Sequence, residues 1–187
     1  ATLKHNMKNT SRKTASHELA VVIPCLNEAE NLSHLLPLIR KTLAEHRMGA
    51  AIYLVDGGST DHTAEVIRPH PVTLLRQRGR GYGGALKTAF EDIDAHYLLT
   101  MDADFSHPPE FIHTLFQHRD EAEIIIASRY VAGGGADMPV ARTMLSRLLN
   151  RVFGAVLRLG VRDLSCGYRL YSRPAVDVFA ITRETYA

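Results

Sequence analysis

The sequence predicts an α/β fold in which a mostly parallel sheet is flanked by helices. Five apolar runs of strand length alternate with segments whose apolar residues recur at helical spacing, which is the pattern of βαβ units. Right-handed crossovers then place the loops that follow the strands at one edge of the sheet. A chain of 187 residues is expected to form a single domain with a substantial core.

The first half of the chain supplies the first three of these elements. An apolar run over residues 19–25 predicts a buried strand, and a second run over residues 51–55 predicts its neighbour. Between them a helix is expected to end before Gly49. The apolar face of this helix consists of Leu32, Leu35, Leu36, Ile39 and Leu43.

The next elements are shorter. A helix that ends near Arg68 is expected to be capped by Ser59 or Asp61. A third strand is predicted over residues 72–75, and a glycine-rich loop, residues 79–84, leads into a helix over residues 85–93.

The fourth strand is predicted over residues 97–101, and two carboxylates, Asp102 and Asp104, follow it directly. Residues i and i+2 of an extended chain point the same way, so both carboxylates are expected to converge. An Asp-x-Asp pair alone is common in turns, but acids at the carboxyl end of a buried strand favour a divalent cation held against a phosphate. Glu110 lies where the next helix, over residues 109–119, would start, and residues 123–127 form a fifth strand.

The loops after the five strands share a composition of acids, glycines and a basic residue, which is typical of a nucleotide-phosphate site. The loop over residues 79–84 matches Gly-x-Gly-x-x-Gly, the dinucleotide fingerprint. An NAD-binding domain is disfavoured, because two βα units precede this loop and the acid downstream belongs to a pair. Arg80 and the glycine N–H groups are instead expected to approach a ligand phosphate or base.

Composition excludes several other classes. The net charge of +2 indicates no nucleic-acid partner, and no run approaches the roughly 20 apolar residues of a spanning helix. Cys25 and Cys166 lie far apart without a Cys-x-x-Cys motif, which favours a reducing compartment. Residues 1–18 are basic and poor in apolar residues, which predicts a disordered tail rather than a signal peptide.

Residues 142–159 have the pattern of a basic amphipathic helix, because their apolar side chains share one face and Arg147, Arg151 and Arg158 fall on the other. Such a helix can lie in a membrane interface or pack against the core or a partner. Membrane contact is the favoured interpretation.

Five segments together resemble the family 2 glycosyltransferases, and most closely the dolichol-phosphate mannose synthases. They occur in family order between residues 20 and 173, and His-Pro-Pro after the acid pair favours the mannose branch over glucosyl relatives that use undecaprenyl phosphate. The segments are Val22-Ile-Pro-Cys-Leu-Asn-Glu28, Val55-Asp-Gly-Gly-Ser-Thr-Asp61, Met101-Asp-Ala-Asp-Phe-Ser-His-Pro-Pro-Glu110, Ser128-Arg-Tyr-Val-Ala-Gly-Gly-Gly135 and Asp163-Leu-Ser-Cys-Gly-Tyr-Arg169.

This resemblance implies a GT-A fold over residues 19–187 and inverting transfer of mannose from GDP-mannose to a polyprenyl phosphate such as dolichyl phosphate. It implies Mg²⁺ or Mn²⁺ on Asp102 and Asp104, and Ser106 stands where some members place a Gln near the metal. The implied nucleotide pocket consists of Pro24, Asn27, Glu28 and Asp56. The implied site for the acceptor phosphate consists of Arg129, Arg142 and Ser146.

The implied chemistry needs no general base, because a phosphate monoester is already an anionic nucleophile at pH 7. The arginines would position that phosphate, the cation would neutralise the leaving diphosphate, and Asp163 would contact sugar hydroxyls. The expected enzyme is peripheral at the cytoplasmic face of a membrane, with a membrane-anchoring partner protein as one means of attachment.

Two alternatives stay open. A UDP-hexose is the second candidate donor, since nothing in the sequence identifies the base or the sugar. A non-catalytic module that binds nucleotide sugars is the second class. It is favoured by the end of the chain at Ala187, before the last segments these enzymes usually carry, which predicts a truncated or short variant.

Overall fold

The computed structural model describes residues 16–128 and 166–178. Within these residues it contains one six-stranded sheet with helices on both faces. The strands are β1 (His17–Cys25), β2 (Ala50–Asp56), β3 (Val72–Arg76), β4 (Ala95–Thr100), β5 (Ile124–Ile126) and β6 (Arg169–Ser172). The helices are α1 (Ala29–Glu45), α2 (Thr63–Ile67), α3 (Gly81–Asp92), α4 (Phe111–Gln117) and α5 (Arg173–Val178).

The order of the strands in the sheet is β3-β2-β1-β4-β6-β5. β1 pairs in parallel with β2 and β4, and β2 pairs in parallel with β3. β6 is antiparallel to both β4 and β5, so β5 runs in the same direction as β4. The loops after these five strands therefore share one edge of the sheet, here called the carboxyl edge. It is marked by Cys25, Asp56, Arg76, Thr100 and Ile126.

β6 brings a later part of the chain back to the carboxyl edge. Because β6 runs the opposite way, the residues just before it lie where β4 and β5 end. Ala127 and Tyr168 are joined by a backbone hydrogen bond, in which the Ala127 N–H donates over 3.0 Å. The Cys166 thiol donates to the Ala127 carbonyl over 3.1 Å. The described chain thus leaves the sheet after β5 and returns before β6 at adjoining points.

The core consists of two apolar layers, one on each face of the sheet. β1 supplies both layers by strict alternation, with Val21 and Ile23 in one layer and Ala20 and Val22 in the other. The first layer packs against α1, α2 and α4, and the second packs against α3 and α5. A strand that is buried on both faces needs the near-continuous apolar sequence that predicted β1.

The predicted α/β class, the parallel strands and the helices that join them are confirmed. Several boundaries differ. β1 begins at His17 and β4 at Ala95, each two residues early, so residues 17 and 18 belong to the sheet rather than to the predicted tail. α3 begins at Gly81 inside the predicted loop, and α4 and β5 are shorter than expected. β6 and α5 were not predicted. The sheet is consequently mixed, with an antiparallel strand inserted between β4 and β5.

Candidate functional site

The acid pair lies at the carboxyl edge as predicted, but the chain between the two acids is not extended. Met101 still follows β1, since its N–H donates to the Val22 carbonyl over 3.1 Å. The chain then bends over residues 103–107, and Phe105 adopts a left-handed φ of 59°. The bend has a local cause, because the Asp104 carboxylate accepts the Ser106 N–H over 3.0 Å. The assumption of an extended pair is therefore wrong.

Asp104 is exposed and favours its ionised form. Partial burial raises the pKa of the Asp104 carboxyl, but hydrogen bonds from the side chain and backbone of Ser106 outweigh it. The pKa therefore lies below its ordinary value, so Asp104 is a carboxylate throughout the neutral range. Ser106, a predicted third metal ligand, donates its backbone N–H to this carboxylate.

Asp102 lies in a more enclosed place. Its side chain is 36% exposed, whereas the neighbouring His107 side chain is 8% exposed, and His107 Nδ1 lies 3.5 Å from Asp102 Oδ2. The same nitrogen lies 3.5 Å from the Asp102 backbone N. In one tautomer Nδ1 accepts that N–H, and in the other it donates to the carboxylate. The far side of the ring reaches Cys166, whose Sγ lies 3.6 Å from Nε2.

Gly167 also lies close to the Asp102 carboxylate. A Cβ added to Gly167 would lie 3.0 Å from each Asp102 carboxylate oxygen and 3.1 Å from the Tyr82 hydroxyl oxygen. Three elements therefore meet at this point: the end of β4, the first turn of α3 and the segment before β6. The sequence motif contained Gly167, but nothing in its spacing predicted this contact.

The loops after β1 and β2 hold each other by hydrogen bonds. The Asn27 N–H donates to Ser59 Oγ over 2.9 Å, and the Thr60 N–H donates to Asn27 Oδ1 over 2.8 Å. The Ala29 N–H donates to Asp61 Oδ2 over 3.0 Å. Asn27 adopts a left-handed φ of 57°, and its hydrogen bonds join the loop after β1 to the loop after β2. Asn27 lies at the carboxyl edge, where it was predicted.

Asp56 ends β2 and closes its own turn. Asp56 Oδ1 accepts both the N–H and the hydroxyl of Ser59, over 3.0 and 2.5 Å. The N-cap of α2 is His62, so neither Ser59 nor Asp61 takes the predicted capping position, although Asp61 Oδ1 accepts the N–H and hydroxyl of Thr63. The hydrogen bond from the Thr63 hydroxyl is the main reason that the pKa of Asp61 lies below its ordinary value, although slight desolvation opposes it.

The glycine-rich segment is built into α3. Gly79 and Gly81 have φ of 83° and 63°, conformations that favour glycine. The Gln77 side-chain amide donates to the Gly81 carbonyl over 2.8 Å. Arg80, a predicted nucleotide ligand, is exposed and is the N-cap of α3.

The other predicted residues divide into two groups. Pro24, half-buried in β1, and Glu28, the N-cap of α1, lie at the carboxyl edge with Asn27 and Asp56. Glu28 accepts the Asn31 side-chain amide over 2.6 Å. The remaining predictions lie outside the described residues: Arg129, Arg142, Ser146, Asp163 and the helix over residues 142–159. In the described part of the chain, no helix is long and apolar enough to cross a membrane.

The donor set at the edge suits a hard cation that is shared with a substrate. Within residues 16–128 and 166–178, no group of three or more His, Cys, Asp or Glu side chains forms a metal cage. Two carboxylates suffice where diphosphate oxygens and waters complete the shell, as is usual for Mg²⁺. Asp102 and Asp104 are carboxylates of the kind that Mg²⁺ prefers as ligands.

Comparison with solved structures defines the class of the fold as GT-A. Mannosyl-3-phosphoglycerate synthase from Rubrobacter xylanophilus matches with a TM-score of 0.67 and 21% identity, over 84% of this chain and 54% of that one. Glucosyl-3-phosphoglycerate synthase from Mycobacterium tuberculosis, in complex with Mn²⁺, UDP and glucosyl-3-phosphoglycerate, matches with a TM-score of 0.64 and 19% identity. That match covers 85% of this chain and 58% of the other.

The family follows from sequence. The model of glycosyl transferase family 2 matches residues 20–179, and the chain belongs to this family. The undecaprenyl-phosphate 4-deoxy-4-formamido-L-arabinose transferase of Enterobacter sp. (strain 638) is 32% identical over 91% of this chain and 53% of its own length. Its counterpart in Salmonella paratyphi B is 30% identical over 89% and 52%. The chain thus spans about half the length of the curated relatives it matches.

Proposed function

We propose that this chain carries the catalytic domain of a polyprenyl-phosphate glycosyltransferase, which moves a sugar from a nucleotide sugar to a lipid phosphate. The observation that carries the proposal is the 32% identity, over 91% of the chain, to a transferase whose name specifies undecaprenyl phosphate. The paired acids at the carboxyl edge of the sheet support a nucleotide-sugar donor.

In this proposal Asp102 and Asp104 hold Mg²⁺ or Mn²⁺, with Ser106 as a third candidate ligand. When bound, the cation neutralises the negative charge that grows on the leaving diphosphate. Pro24, Asn27, Glu28, Asp56 and Arg80 surround the nucleotide, because their loops meet at the same edge.

The acceptor phosphate is assigned to Arg129, Arg142 and Ser146 on the family resemblance. Arginine suits this role because its planar fork binds two phosphate oxygens at once. The nucleophile is the phosphate oxygen, which is already ionised because the second pKa of a phosphate monoester is about 6. No side chain therefore has to remove a proton for the new bond to form.

For the donor we propose GDP-mannose, on the His-Pro-Pro sequence that follows the acid pair. A UDP-linked sugar is the second candidate, because the two curated relatives are named for an arabinose derivative rather than for mannose, and the structural neighbour from Mycobacterium tuberculosis is in complex with UDP. We place the enzyme at the cytoplasmic face of a membrane, since its acceptor is a lipid.

The deciding experiment supplies Mn²⁺, a short polyprenyl phosphate and one radiolabelled donor at a time, either GDP-mannose or UDP-glucose. Label should enter the organic phase from GDP-mannose, and the matching polyprenol without phosphate should stay unlabelled. Faster transfer from UDP-glucose than from GDP-mannose would overturn the assignment of GDP-mannose as the donor. Nucleotide binding without transfer from any donor would favour the non-catalytic module.

A further inference from the structure

The backbone conformation of Gly167 does not require glycine. Lack of space for a side chain explains the glycine at this position instead. Its φ lies outside the left-handed region that only glycine adopts readily. The atoms that a Cβ would meet are instead unusually close, at 3.0 and 3.0 Å for the Asp102 carboxylate oxygens and 3.1 Å for the Tyr82 hydroxyl oxygen. A side chain at this position would compete directly with the Asp102 carboxylate.

The backbone of Gly167 is held in place from several directions. Its carbonyl accepts the hydroxyl of the fully buried Thr100 over 2.7 Å. The preceding residue, Cys166, is buried, and its carbonyl accepts Arg169 Nε–H over 2.7 Å. The segment before β6 therefore cannot move away from β4 without breaking these two part-buried hydrogen bonds, so we expect a new methyl group to displace the Asp102 side chain instead.

His107 also lies close to the Asp102 carboxylate. His107 Nδ1 lies 3.5 Å from Asp102 Oδ2, and the buried imidazole contacts Cys166 and the Tyr168 ring. The carboxylate thus has both Gly167 and the buried His107 as close neighbours.

We propose that Gly167 is a positioning residue that sets the orientation of the Asp102 carboxylate for the metal and diphosphate of the donor. The proposal rests on the function proposed above. The proposal predicts that a side chain at position 167 lowers the part of the nucleotide affinity that depends on the metal. If the role of Gly167 were purely structural, a side chain there would lower stability alone.

The test compares Gly167→Ala with the wild-type chain by calorimetric titration of GDP and of UDP, each in Mn²⁺ and in EDTA. We expect Gly167→Ala to lose at least about tenfold of the affinity gained from Mn²⁺, with less than about twofold change in EDTA. Gly49→Ala is the matched control, because a Cβ at Gly49 would meet nothing within 4 Å. It should bind like the wild type.

Retention of the full Mn²⁺-dependent gain by Gly167→Ala would overturn the proposal. So would an equal loss in Mn²⁺ and EDTA that follows the loss of thermal stability. If the wild type itself shows no Mn²⁺-dependent binding of either nucleotide, the proposed function fails instead.

A double variant keeps the proposal testable if Gly167→Ala does not fold. Asp102→Ala removes the carboxylate that the new methyl group would displace, so Gly167→Ala should cause no further loss of stability or binding in that background. Recovery of folding in the double variant supports the proposal. A double variant that also fails to fold would overturn it, because the conflict would then lie with Tyr82 or the backbone.

Discussion

Asp102 and Asp104 lie in different surroundings although one residue separates them. Asp104 is exposed and accepts a hydrogen bond from Ser106, whereas Asp102 has Gly167 and the buried His107 as close neighbours. The pKa of Asp104 is lowered, so its contribution to stability is present above the ordinary carboxyl pKa of about 3.9 and is lost as the pH falls through the lower folded value. At neutral pH Asp104 is a permanent charge.

Asp104→Asn removes that charge but keeps the shape of the side chain. We expect metal-dependent sugar transfer to fall by about 10²–10³, the usual cost of losing one electrostatic partner of a developing charge. Radiolabelled transfer at saturating Mn²⁺ measures the effect, with Asp94→Asn as the control, since exposed Asp94 precedes β4 at the opposite edge. Wild-type turnover in Asp104→Asn would exclude Asp104 as a ligand.

Cys25 is a thiol placed among acids. Burial, with Asp56, Glu28 and Asp61 nearby, raises its pKa to about 12. The folded thiol therefore stays neutral between pH 9 and 12, while the thiol of the unfolded chain ionises at about pH 8.5–9. The stability supplied by the neutral thiol is present below that range and is lost as the pH rises through it.

Cys25→Ala should accordingly flatten the alkaline loss of stability. We expect the wild type to lose about 1–2 kcal/mol more than Cys25→Ala between pH 7 and pH 10, on the ordinary thiol pKa of about 8.5. Urea denaturation of both proteins at the two pH values measures the difference. Parallel losses in the two proteins would show that the Cys25 thiol does not cause the pH dependence.

At the scale of elements, hydrogen bonds of Thr88 connect α3 to the residues that follow β3. The buried Thr88 hydroxyl accepts the Arg78 N–H over 2.8 Å and donates to the Gly84 carbonyl over 2.8 Å. Arg78 also binds Glu91 and Asp92 through its guanidinium group. Hydrogen bonds and ion pairs thus hold the residue before the glycine-rich segment against α3.

Thr88→Val keeps the shape of Thr88 and removes both hydrogen bonds. The Arg78 N–H is then left without its partner, so we expect the free energy of unfolding to fall by about 1–3 kcal/mol. Urea denaturation measures the change. Thr73→Val, at an exposed position of β3, should change stability by less than about 0.5 kcal/mol. Equal effects of the two substitutions would contradict the anchoring role of Thr88.

The elements that sequence analysis located and the ones it missed differ in their physical basis. β1 and α1 were predicted because long apolar patterns determine them locally. β6 has four residues and no alternation, and its place between β4 and β5 depends on pairing with distant strands. The start of α3 was missed because glycine disfavours helices, yet Gly81 and Gly83 lie in its first turn.

The same division applies to the site. Four predicted residues lie at the carboxyl edge because each is at the end of a strand or within a few residues after it, which the sequence shows: Asp102, Asp104, Asp56 and Asn27. The hydrogen bond from Tyr82 to Gly167 and the approach of Gly167 to Asp102 depend on the placement of β6 and α3, so no local spacing encodes them.

At the scale of the whole molecule, ligand binding and folding are linked. A ligand that binds only the folded chain at 100 times its Kd stabilises it by about 2.7 kcal/mol. We expect GDP with Mn²⁺ to raise the Tm by about 5–10 °C at that concentration, since 1 kcal/mol is worth about 2–4 °C at this size. A thermal melt with and without EDTA measures the shift.

Asp104→Asn is the control for this thermal melt. Its Tm should not rise when GDP and Mn²⁺ are added together. A shift of equal size in EDTA would mean that the nucleotide binds without the cation. That outcome would contradict the metal assignment and leave the fold unaffected.

The return of the chain at β6 has a consequence for engineering. Ala127 and Cys166 are hydrogen-bonded to each other at the carboxyl edge, so the described residues on either side of residues 129–165 lie next to each other. A graft of the corresponding stretch from a relative needs only to connect these neighbouring residues. Because the acceptor residues proposed above, Arg129, Arg142 and Ser146, lie in that stretch, we expect such a graft to change acceptor preference and to leave donor binding unchanged.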